Sequence, residues 1–208
     1  MPRDPLSGFE RYPFARFSRA ARGRALWVGV AVTLIIGTVM GVLGGPLFTP
    51  AAPSGIVSFE LAGSAQNAAA MIASWGLAGV ALAQKQTWID FLYIPAYSLT
   101  LALSAGLAVW VCARRSRALG WIGVALSWGA LAAGLFDVVE NCAMLLQWSG
   151  SPSDPLAALA RVCALVKFTL ILAAFTYALI GAAYHMGDGL VRMAMAWMRQ
   201  TVDKPDGS

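Results

Sequence analysis

Charge is what this sequence has least of. Asp, Glu, Lys and Arg make up 12% of the 208 residues, where an ordinary soluble domain carries about 25%. Set against 59% hydrophobic residues and a mean hydropathy of +0.67, that shortage excludes an ordinary water-covered globule. Histidine occurs once, as His185, which rules out a multi-histidine transition-metal centre; its place near the end of an apolar run fits an interfacial residue. Cysteine occurs three times, at Cys112, Cys142 and Cys163, too few for a disulfide framework. Cys142 and Cys163 flank one expected turn and leave two options open, a single disulfide or two small hydrophobes. Walker, dinucleotide-binding, nucleophile-elbow and zincin motifs are all missing. No metal and no cofactor is expected.

Long apolar runs are present instead. Ala25–Leu43, Phe91–Cys112, Leu119–Phe136 and Phe168–Ala183 each reach about the 20 residues that cross a bilayer as helix. None alternates with a period of two, so helices rather than barrel strands are expected. The fold class is therefore all-α: a polytopic membrane protein, a four-transmembrane-helix bundle. The first run outlasts a signal-peptide core and lacks an Ala-x-Ala site, so a retained anchor is expected.

Basic residues set orientation. Arg3, Arg11, Arg16, Arg19, Arg22 and Arg24 precede the first run, Arg114, Arg115 and Arg117 separate the second from the third, and Arg192, Arg199 and Lys204 follow the fourth. The first connection holds only Glu60 and Lys85. Both termini are thus expected on the cytoplasmic side of a bacterial inner membrane. Residues 1–24, where Phe9, Tyr12, Phe14 and Phe17 interleave with arginines, read as an interfacial segment held by anionic lipid rather than as a nucleic-acid site. Residues 25–187 form the membrane domain and 188–208 a tail, amphipathic at first and polar and disordered from Thr201.

The first connection opens with Gly44, Gly45, Pro46, Pro50, Pro53 and Gly55. Ser64 is a good N-cap for Ala65–Trp75, with Gly76 at the C′ position, and Leu77–Ile89 leads into the second span. Residues 56–89 therefore predict a small outer helical cap. The third helix is expected to reach Trp148; Asp154 is expected to cap the fourth, with Pro155 at its first position. Gly37-x-x-x-Gly41 matches a helix-packing motif, and Pro95 predicts a kink in the second span.

Three spans end on a charge at one depth: Asp90, Asp137 and Lys167. Asp137, Glu140 and Asn141 share one helical face, as do Asp90, Tyr93 and Tyr97. Charges at such depth are costly and pair inside the bundle. The carboxylates outnumber Lys167 even with help from Arg161, so a protonated carboxyl or a cationic ligand is expected. Two readings stay open: an ion-pair network that fixes helix register, or a ligand-binding cleft of Asp90, Tyr93, Tyr97, Asp137, Glu140, Asn141 and Lys167.

Phe59-Glu60-Leu61-Ala62-Gly63, Trp75-Gly76, Asp90-Phe91-Leu92-Tyr93-x-Pro95-x-Tyr97, Asp137-x-x-Glu140-Asn141 and Lys167-Phe168 occur together. This set resembles small, uncharacterised four-helix integral membrane proteins of bacteria. The resemblance implies membrane location and carries no activity. The first functional expectation is an outer-leaflet cleft that binds a lipid head group or small cationic ligand. A proton- or ion-coupled transporter or channel, and a lipid-modifying enzyme with Asp137 or Glu140 as base, are the alternatives. Expected partners are membrane lipids and no nucleic acid; a homo-oligomer or a membrane partner stays open.

Overall fold

The computed structural model describes Phe9 and residues 11–202. Arg3, Lys204 and the polar end 203–208 lie outside the described residues. Helix dominates, and among the described residues extended pairing is limited to an isolated bridge between Thr49 and Ala52. The helices are α1 (Arg19–Gly44), a 3-10 turn (Gly45–Leu47), α2 (Ile56–Glu60), α3 (Ala65–Arg115), α4 (Arg117–Ser149) and α5 (Asp154–Val202). Of these α1, α3, α4 and α5 are long and apolar enough to cross a membrane.

Local chemistry explains the boundaries. The Ser18 hydroxyl accepts from Ala21 N and caps α1; the Ser64 hydroxyl accepts from Asn67 N and caps α3, as its spacing predicts. At Gly76, φ is +62° and ψ −174°, a conformation only glycine adopts freely, and α3 breaks there into two helical pieces. The dihedrals stay helical through Pro95, because proline's fixed φ suits a helix and its cost is confined to one lost hydrogen bond and local crowding. Asp154 does not cap its own helix. It is the first residue of α5, and its carboxylate accepts from Ala65 N at 2.7 Å, so it serves the N-terminus of α3. Negative charge at either helix start is favourable; the turn at Gly150–Ser153 brings the two starts together. Past the last apolar run α5 continues as helix to Val202.

Helices α3, α4 and α5 form a close triangle, and α1 lies against α3 with at most marginal contact to α5. The α1 stripe that meets α3 carries Gly29, Gly37 and Gly44, facing Thr100, Tyr93 and the Gln86 side chain. Steps of eight and seven residues keep one helical face. Gly41 faces open space, so the packing repeat is two turns rather than one. The apolar Trp27, Leu34 and Val42 of α1 are left 73%, 65% and 75% exposed.

At one end of the bundle the 44–75 segment packs on the extended ends of α3, α4 and α5. Phe59 lies between Trp75 and Trp148, with ring centroids 5.6 and 5.1 Å away, and Trp75 Nε1 donates to Leu47 O. At the opposite, arginine-rich end the chain before α1 folds back into the bundle. Phe9 and Tyr12 are buried with Val109, Ala113 and Val124, while Phe17 is exposed. These first two aromatics therefore pack on protein, contrary to the interfacial expectation, because Gly106 and Gly120 leave hollows that the two rings fill. Cys112, Cys142 and Cys163 are free thiols; Cys142 faces outward and Cys163 inward.

Candidate functional site

The polar layer lies where α2 meets the triangle, under the cap. Lys167 of α5 is its hub. Its Nζ donates to Asp137 Oδ1 at 2.7 Å and Glu140 Oε1 at 2.8 Å, and stands 3.3 Å from Glu60 Oε2. Tyr97 OH donates to Asp137 Oδ2 at 2.8 Å, so both oxygens of Asp137 are engaged. Asn141 Nδ2 donates to Asp90 Oδ2 at 2.7 Å. The Tyr93 ring packs on Tyr97 at 5.3 Å and against Gly37 of α1. All seven residues singled out in the sequence are thus brought into one layer.

Arg161 is not part of it. Its side chain crosses Gly63, where a Cβ would fall 2.8 Å from Cδ. Glu60 takes a place the sequence reading did not give it. Buried beside Lys167, its carboxyl is pushed above the ordinary 4.5 by desolvation, against the pull of the ammonium. Three carboxyl groups therefore surround one ammonium, and a fourth, that of Asp90, is held by Asn141 in the same layer. A lone acid in the apolar Ile56–Leu61 stretch was the available signal.

A cavity of about 560 Å³ adjoins this layer. Glu60, Gln86, Thr87, Asp90, Asp137, Asn141 and Lys167 line its polar end. Away from them it runs between Leu34 and Gly37 of α1 and Phe168, Ile171 and Phe175 of α5, as far as Thr100 and Leu101. Since α1 and α5 scarcely touch, the trough opens sideways. Gln86 and Thr87, also absent from the sequence reading, stand one turn before Asp90 on the same face of α3.

The layer divides in two. Glu60, Asp137, Glu140 and Lys167 form a clasp joining the cap segment to α4 and α5. Gln86, Thr87, Asp90, Tyr93 and Asn141 form the wall of the cleft. Beyond it the hydroxyls turn back on the backbone: Thr100, Ser104 and Ser127 donate to Ala96 O, Thr100 O and Ala102 O. No cluster of three or more His, Cys, Asp or Glu with metal-holding geometry occurs among the described residues. Compared with protein-family models, curated proteins and solved structures, the chain matches none.

Proposed function

We propose that this chain is a multi-pass protein of a bacterial cytoplasmic membrane, of the small four-helix kind its sequence resembles, and that its cleft binds a membrane amphiphile. In this reading α1, α3, α4 and α5 cross the bilayer, both termini are cytoplasmic, and the polar layer lies in the outer leaflet. The apolar exposure of α1 and the arginines gathered at one bundle end support that placement. The carrying observation is the shape of the cavity: polar groups at one end, apolar side walls, and an opening between α1 and α5. A head group would meet the Asp90 wall and a hydrocarbon chain would lie in the trough. About 560 Å³ is of the size that small-molecule pockets have, roughly 300–1,000 Å³.

The alternatives draw less support. A proton relay needs groups beyond the layer, and the three hydroxyls there are tied to helix carbonyls. A general base needs a free oxygen near its substrate; Asp137 has both oxygens engaged, and Glu140, fully buried, does not line the cavity.

The test is native mass spectrometry of the full chain released from detergent. Bound lipid is expected on the wild type and should fall at least about tenfold in Leu34→Trp, which fills the trough from an exposed position of α1. Unchanged lipid occupancy in a thermally intact Leu34→Trp protein would remove the reading.

A further inference from the structure

We infer that the polar end of the cleft is a binding site for a primary ammonium group carried on an apolar chain. This rests on the amphiphile reading above and names the head it takes.

The inference starts from two buried atoms. Gln86 and Thr87 are 6% and 1% exposed, both line the cavity, and Gln86 Oε1 and Thr87 Oγ1 have no hydrogen-bond partner. A buried polar atom without a partner costs roughly 1–3 kcal/mol, so a ligand that supplies the missing bonds gains by it. Gln86 is held in one sense: its Nε2 donates to Met40 O at 3.2 Å, which leaves the carbonyl oxygen without a partner. Asp90, one turn along the same face, uses Oδ2 for Asn141 and leaves its second oxygen unengaged. Lys167 forms no ion pair with Asp90, because Asp137, Glu140 and Glu60 already surround its ammonium. The cleft therefore offers an amide oxygen, a hydroxyl oxygen and a carboxyl group that pairs with no cation of the protein.

The chemistry of candidate heads separates on those atoms. A carboxylate or phosphate alone would meet acceptors, with no unengaged cation beside it. A hard divalent cation takes six to eight oxygens for calcium, more than this wall presents. A quaternary ammonium has no N–H to donate and relies on aromatic faces set around it; Tyr93 and Tyr97 pack on each other, tilted 46°. A primary ammonium carries three donors and one positive charge, which matches Gln86 Oε1, Thr87 Oγ1 and Asp90. The trough supplies room for its chain. From Gln86 to Thr100 along α3 is roughly 21 Å at helical rise. An aminophospholipid and a single-chain amine share this head, and both belong in the test.

The full chain in a non-ionic detergent would be titrated with dodecylamine, dodecyltrimethylammonium, and phosphatidylethanolamine and phosphatidylcholine of matched chains. Binding is read by native mass spectrometry and thermal shift. Dodecylamine is expected to bind at least about tenfold more tightly than its trimethyl counterpart. Thr87→Val, which keeps the side-chain shape, should reduce that ratio severalfold while binding of the trimethyl compound stays the same, and Asp90→Asn should weaken dodecylamine more than the trimethyl compound, which loses the charge but no hydrogen bond. A preference for phosphatidylethanolamine over phosphatidylcholine makes the source a lipid; a preference confined to dodecylamine makes it a free amine. Equal binding of methylated and unmethylated heads, or a preference untouched by both variants, overturns the inference while leaving the amphiphile reading in place. No binding of any of the four compounds overturns both.

Discussion

The two ends of this bundle are closed by opposite means. At the arginine-rich end, Phe9 and Tyr12 fill hollows left by Gly120 and Gly106, and the closure is mostly apolar. At the cap end, Lys167 gathers Asp137, Glu140 and Glu60 into a buried clasp beside an open cleft. Apolar packing contributes through area and shape and tolerates similar replacements. A buried ion cluster adds little net stability, yet removing one member strands the others. The first end is therefore expected to degrade gradually under substitution and the second abruptly.

Lys167→Met tests that contrast most severely. It keeps the length of the stem and leaves the carboxyls without their cation, so a loss of about 3–5 kcal/mol is expected. Thermal unfolding in detergent checks it, and wild-type stability in this variant would break the comparison. At the opposite end Phe9→Ala removes a ring that is 1% exposed, with an expected loss of roughly 3 kcal/mol by cavity formation. Phe9→Leu should recover much of that loss. No substitution at Lys167 is expected to do likewise, and this asymmetry is the sharper reading of the pair.

How much of this was legible in the sequence follows the same division. The layer was legible because charges are rare inside apolar runs: Asp90, Asp137 and Lys167 stand out individually, and three- and four-residue spacing groups Glu140, Asn141, Tyr93 and Tyr97 with them. Gln86 and Thr87 keep that spacing too, but uncharged side chains in the expected cap raise no alarm. Glu60 could not be placed, because its position depends on the path of the chain from Gly44 to Gly63, which no periodicity records. The seal by Phe9 and Tyr12 was hidden for a different reason. Aromatics among arginines beside a span fit a membrane surface equally well, and only the hollows at Gly106 and Gly120, contributed by other helices, decide the matter.

Within the clasp, Tyr97→Phe probes a neutral donor rather than the ion. The hydroxyl donates to Asp137 Oδ2, while Lys167 donates to Oδ1. Its loss should cost about 1–2 kcal/mol, less than either change above, since Lys167 still holds the other oxygen. The measurement is the same unfolding assay, and a loss equal to that of Lys167→Met would show that the clasp has no dominant member.

The smallest effect is expected from Glu60→Gln, read as a pH slope rather than a fixed loss. Burial raises the Glu60 carboxyl above 4.5, while Lys167 opposes the shift and Asp137 adds to it. The unfolded chain ionises that group freely at its ordinary value, and the folded chain resists doing so. Stability from this group is therefore full below 4.5 and declines as pH rises through the raised folded value. Glutamine cannot ionise, so the variant should lack that part of the decline, and the difference between the two proteins should grow in the variant's favour toward neutral pH. A difference that stays flat with pH would mean that Lys167 holds Glu60 ionised in the fold. The proton that relieves the excess of carboxyl groups over Lys167 would then have to sit elsewhere in the layer.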